Sequence, residues 1–114
     1  MSVVKSITMQ HLSPREALAA VDRYVGRSEK VHEEFHDLGQ NQSGVLVYEQ
    51  YFSRVGNRIA LIVIAENFSG QTRARVISTG SSKRLLFDFD WGAADAYVNE
   101  VLGILARADQ DRPV

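Results

Sequence analysis

The sequence predicts an α+β fold: an antiparallel β-sheet of about five strands with two helices packed on one face, in β-α-β-β-β-β-α order. Three observations predict it. A near-complete helix-start signature sits close to the beginning of the chain. The middle of the chain alternates apolar and polar residues between glycine-containing turns. The last stretch returns to helical spacing.

Val3 to Gln10 reads as a strand with Val3, Ile7 and Met9 on one side. Ser13-Pro14-Arg15-Glu16 follows as a capping box. Serine stands at the N-cap, proline at the first helical position and glutamate three residues after the cap, so serine and glutamate satisfy orphan backbone donors reciprocally. Leu18, Val21, Tyr24 and Val25 form the apolar stripe of this helix, and Gly26 ends it. Lys30 to Leu38 fits strand or helix, Gly39 to Gly44 reads as a polar loop, and Gly44 to Val55 and Arg58 to Asn67 read as strands flanking a Gly56-Asn57 hairpin turn. Ser69-Gly70 is a second turn, and Gln71 to Thr79 a further strand. Leu85 to Phe89 reads as a short strand, and Asp90 as the N-cap of a helix from Trp91 to Ala108. Ala94, Tyr97, Val98, Val101, Leu102 and Leu105 supply its buried face.

The turns set a register. Gly56-Asn57 places Val55 opposite Arg58 and Tyr51 opposite Ile62, while Ser69-Gly70 places Glu66 opposite Arg73 and Ile64 opposite Arg75. One sheet face then carries Leu46, Tyr48, Phe52, Ile59, Leu61, Val63, Ala65, Ala74 and Val76 and belongs under the helices. The other carries Val45, Val47, Tyr51, Ile62, Ile64 and Ile77, mixed with Glu49, Glu66, Arg73 and Arg75. That second face is too apolar to be a plain solvent surface. Val47, Tyr51, Ile62, Ile64 and Ile77 are therefore expected to form an interface or to line a ligand cavity.

Composition bounds the function classes. The 114 residues are 45% hydrophobic and 24% charged, which suits one globular domain, expected at residues 1–108 with a polar tail at 109–114. Lysine and arginine total 13 against 14 acids, and the net charge of −1 supplies no basic footprint for nucleic acid and no polybasic segment for an anionic membrane. Cysteine is absent, which excludes disulfides, thiolate catalysis and cysteine-ligated metal. The first residues lack a signal-peptide pattern, and the longest apolar run, Ile59 to Ala65, is too short to span a bilayer, so a cytoplasmic protein is expected.

His32-Glu33-Glu34-Phe35-His36 matches the H-E-x-x-H pattern. On a helix His32 and His36 would share a face and bind zinc, with Glu33 polarising a bound water. Against this, a catalytic zinc needs a third protein ligand, and no histidine follows His36. As a strand, the segment places His32, Glu34 and His36 on one face and Val31, Glu33 and Phe35 on the other. Ser78 to Arg84 is rich in small residues followed by Lys83 and Arg84, and reads either as an anion-binding nest or as a polar turn; it lacks the P-loop spacing. Glu49 and Glu66 read as members of a charge network, and Asp88, Asp90 and Asp95 as favourable charges at a helix start. No Ser–His–Asp set and no dinucleotide fingerprint is visible, so no catalytic or cofactor-binding residue and no cofactor is assigned.

Val45-Leu46-Val47-Tyr48-Glu49-Gln50-Tyr51, Gly56-Asn57-Arg58 and Ile77-Ser78-Thr79-Gly80-Ser81-Ser82 resemble the strand and loop pattern of DUF6054, a family of small bacterial proteins known as a domain of unknown function. The resemblance runs from about Val45 to Leu105. It implies a bacterial, free-standing domain and carries over no activity and no site residue. The element order in turn resembles a TATA-binding-protein-like or helix-grip arrangement, which hosts binders, scaffolds and enzymes alike. Three readings of function follow. The first is a non-enzymatic module that forms a homo-oligomer or binds a partner through the apolar sheet face. The second is a small-molecule binder with a cavity between sheet and helices. The third is a metal-binding protein or hydrolase built on His32, Glu33 and His36.

Overall fold

The computed structural model describes residues 2–25, 29–52, 57–80 and 87–112, with side chains at all of these except 52, 57, 80 and 87–93. Five strands and two helices follow in the expected order: β1 (Ser2–Met9), α1 (Pro14–Tyr24), β2 (Glu29–Leu38), β3 (Asn41–Phe52), β4 (Asn57–Glu66), β5 (Thr72–Gly80) and α2 (Phe87–Asp111). All neighbouring strands are antiparallel, in the spatial order β1-β5-β4-β3-β2, so the first strand closes beside the last and β2 forms the opposite edge.

The capping box forms as the residues dictate. Glu16 donates its backbone N–H to Ser13 Oγ at 3.1 Å, and Ser13 N–H returns to Glu16 Oε1 at 2.9 Å. Ala17, Leu18, Val21 and Val25 join the core and Ala20 is buried, while Tyr24, expected in that stripe, is 45% exposed. Gly26 lies outside the described residues.

α1 packs over β3 and β4, and α2 over β1 and β5 while also touching α1. The face between them is the core: Val3 and Met9 of β1, Leu46 and Tyr48 of β3, Ile59, Leu61, Val63 and Ala65 of β4, and Ala74 and Val76 of β5. From α2 come Ala94, Tyr97, Val98, Val101 and Leu105. Each fully buried aliphatic side chain contributes about 1.5–3 kcal/mol, so this layer accounts for the helices' choice of face.

The β4–β5 register matches the expectation, with Glu66 opposite Arg73 and Ile64 opposite Arg75. The β3–β4 register does not. Tyr51 pairs with Arg58 and Val47 with Ile62. Phe52 pairs with Asn57, which a two-residue Gly56-Asn57 turn does not allow; residues 53–56 lie outside the described residues. The slip is four residues, an even number, and side chains alternate with period two, so the described side chains of β3 and β4 keep their predicted faces.

Three further segments differ from expectation. The 39–44 stretch is not a loop: Gly39-Gln40 forms a two-residue turn and Asn41 already belongs to β3. Gly39 has φ +87°, which suits the first central position of a type II′ hairpin turn. Gly44 is needed for a different reason. A Cβ there would lie 2.5 Å from Leu18 Cδ1, 2.7 Å from Phe35 Cδ1 and 3.0 Å from the Glu34 carbonyl oxygen. The 87–89 residues, read as the end of a strand with Asp90 as a cap, are the first turn of α2. Alternating Phe87, Asp88, Phe89, Asp90 and Trp91 imitates period two, while acids in a first helical turn are stabilised by the dipole.

Of the expected tail at 109–114, residues 109–112 are described and 113–114 lie outside the described residues. α2 continues to Asp111, and Asp109 is buried. Its carboxylate accepts backbone N–H bonds from Gln10 at 2.8 Å, His11 at 2.8 Å and Leu12 at 2.9 Å, clasping the β1–α1 junction. Burial pushes its pKa up, but the three N–H donors outweigh burial and hold it below the usual carboxylate range. Beside it, Arg112 donates Nε and Nη2 to Glu16 at 2.8–3.0 Å. Arg112, then the Ser13 backbone N–H, lower the Glu16 carboxyl.

Candidate functional site

Both helices lie on one face of the sheet, and neither covers the other. Cross-strand pairing assembles that open face in rows. The central row is His32 on β2, Val47 on β3, Ile62 on β4, Ile77 on β5 and Val4 on β1. Beside it runs Glu34, Val45, Ile64, Arg75 and Ser6, and beyond that His36, Ser43, Glu66, Arg73 and Thr8. Val47, Ile62, Ile64 and Ile77, singled out from the sequence, thus touch one another, and Tyr51 stands at the rim, 56% exposed. Val4, 60% exposed, joins them from β1. It escaped the sequence reading because nothing local shows that β1 pairs with β5.

The charges on this face are sorted by flank. On the β2 side Glu34 sits between the two imidazoles, bonding His32 Nε2 and His36 Nε2 at 2.8 Å each. His32, then His36, hold its carboxyl below the usual range. Glu49 pairs with Arg58 at 3.3 Å, and Glu66 with Arg73 at 3.2 Å, which makes both acids members of ion pairs. Arg75 has no ion pair among the described residues; it borders a surface hollow of about 360 Å³ lined also by Ser43, Ile64, Glu66, Phe68 and Arg73.

The 30–38 segment is an edge strand. A bulge at Val31 pairs Lys30 with Tyr48 and His32 with Val47, so Lys30 turns to the helix face and His32 to the open face. Glu33 lies on the helix face, opposite His32 and His36. The helical H-E-x-x-H geometry therefore does not form. As a strand, the segment sets the Cα atoms of His32 and His36 about 13 Å apart, and the Glu34 carboxylate, not a shared ion position, stands between the two imidazoles. Among the described residues no group of three or more His, Asp or Glu converges for a metal. Of the anion-nest candidate, Ser78 and Thr79 are strand residues, with Ser78 buried, and residues 81–84 lie outside the described part.

On the helix face, Tyr48 donates its hydroxyl to Asp22 at 2.6 Å, and Lys30 bridges Asp22 at 3.1 Å and Glu33 at 3.0 Å. Burial, reinforced by Asp22, pushes the Tyr48 phenol far above its ordinary value. The Tyr48 bond, opposed by burial and aided by Lys30, lowers Asp22. A groove of about 220 Å³ runs alongside between α1 and β2, lined by Arg15, Leu18, Asp22, Glu33 and Phe35, with the Arg15 guanidinium 4.1 Å from the Phe35 ring centroid. Lys30 and Tyr48 already engage the two acids, so this network ties β2 to α1.

The site and fold together define a small α+β module with one helix-covered and one open sheet face. The chain belongs to the family of unknown function DUF6054, whose model matches residues 3–108. No curated protein matches it. Among solved structures it is similar to TTHA0849 from Thermus thermophilus, at 11% identity and a TM-score of 0.34, over 95% of this chain and 93% of that one. No helix among the described residues is long and apolar enough to cross a membrane.

Proposed function

We propose that this chain is a non-enzymatic, cytoplasmic module of a bacterial cell that self-associates through its open sheet face. The observation that carries the reading is the run of Val45, Val47, Ile62, Ile64 and Ile77 across three adjacent strands, all only half-buried and none beneath a helix. A contiguous apolar patch of this kind is what interaction surfaces present. Four strands, β2 to β5, each about 4.8 Å wide and about eight residues long, offer roughly 500 Å² of face per copy. Two such faces reach the ~1,000 Å² that a specific interface needs. Sheets pack face to face at about 10 Å with interdigitating aliphatic side chains, which suits these residues.

Ile62→Glu tests the reading. Ile62 points away from the core and has Val47 and Ile77 as row neighbours, so the substitution should leave the fold intact. The expected result is a wild-type dimer and a monomeric variant by native mass spectrometry and light scattering, with matching circular dichroism. A monomeric wild type, or an unchanged variant mass, overturns the proposal.

A further inference from the structure

Resting on the self-association reading, we infer that two copies meet about a twofold axis parallel to the strands and midway between β3 and β4, which sets Arg75 of each copy against Glu34 of the other. Glu34, Val45, Ile64 and Arg75 lie side by side in one row of the sheet, on β2, β3, β4 and β5. A twofold axis in the plane between two packed faces exchanges strands across itself and keeps their level. Placed between β3 and β4, it exchanges β3 with β4 and β2 with β5. Val45 then meets Ile64 of the second copy, and Val47 meets Ile62 in the next row. The acid at one end of the row meets the base at the other, twice by symmetry, as an isologous interface requires.

The charges favour this axis over its neighbours. Arg75 is the arginine of this face with no ion pair among the described residues, whereas Arg58 and Arg73 are already engaged by Glu49 and Glu66. Glu34 accepts one bond at each carboxylate oxygen from His32 and His36, and each oxygen keeps room for a further donor. Moving the axis onto β4 sets Arg75 over the second copy's Val45, and leaves the charge without a partner in an apolar contact. The ~30° between aligned packed sheets displaces groups one and a half strand spacings, about 7 Å, from the centre by only a few ångströms, within the reach of an arginine side chain.

The test is a charge exchange: Glu34→Arg, Arg75→Glu and the two together, with the dimer dissociation constant read by analytical ultracentrifugation. Each single variant sets like charges against each other twice and should weaken the dimer about tenfold or more. The double variant restores opposite charges and should return to within about threefold of wild type, the coupling that marks a direct contact. Glu34→Gln, which keeps the shape, should weaken the dimer less than Glu34→Arg. Thermal melts of each variant separate misfolding from dissociation. A wild-type dimer whose constant ignores the single changes, or whose double variant is as weak as the singles, overturns this axis and leaves self-association standing. A monomeric wild type overturns both.

Discussion

Asp109→Asn tests the clasp that holds the end of α2 on the β1–α1 junction. Oδ1 of Asp109 accepts from His11 and Leu12, and Oδ2 from Gln10. An asparagine with its carbonyl at the Oδ1 position keeps two bonds but makes them neutral, and turns an NH₂ toward the Gln10 donor. Bonds to a charged acceptor are worth about 1.5–3 kcal/mol and neutral ones about 0.5–1.5, so two weakened bonds cost about 2 kcal/mol. The lost third adds about 1 kcal/mol, at the low end because Gln10 is exposed and reaches water. The expected loss is about 3 kcal/mol, or a Tm lower by roughly 10 °C for a domain of this size. Because the folded carboxyl titrates below its unfolded value, its contribution is complete above the unfolded pKa near ~3.9 and is lost as pH falls through the folded value. The gap between wild type and variant in urea unfolding should therefore be full at neutral pH and close in acid. A gap under ~0.5 kcal/mol at neutral pH, or one that persists unchanged through the acid range, would refute the reasoning.

Two other substitutions probe how the sheet is tied to its helices. Tyr48→Phe removes the 2.6 Å bond to Asp22 and should cost about 1–2 kcal/mol in denaturant unfolding; the Asp22 carboxyl, followed by NMR titration, should rise toward its ordinary value. In the wild type the Tyr48 phenol should stay protonated in alkali while the fold persists, so four phenolates appearing by ultraviolet absorbance in the folded protein would contradict its raised pKa. Gly44→Ala places a methyl against Leu18, Phe35 and the Glu34 backbone carbonyl. The carbonyl cannot rotate away, so the loss should be about 2 kcal/mol in a thermal melt, and a neutral outcome would mean that β2 moves freely relative to β3.

The order of elements, the helix start and the face of nearly every strand residue are determined by the chain itself. Ser13 and Glu16 act within one turn, and alternation in β3, β4 and β5 needs only period two, which is why a register slipped by four residues left Ile62, Ile64 and Val47 on the predicted face. The long-range pairings were decided by the tertiary structure. Nothing near Val4 announces that β1 closes against β5. Nothing near Asp109 announces three backbone donors some hundred residues earlier in the chain. The conformation of 30–38 was undecided for the same reason: an H-E-x-x-H sequence suits a helix and a strand alike, and it is the ladder with β3 that makes it a strand. That ladder separates Glu33 from the two histidines and leaves Glu34 between them. A local signal is written by neighbours in sequence, whereas a row across the sheet is written by burial, which joins residues the chain holds far apart.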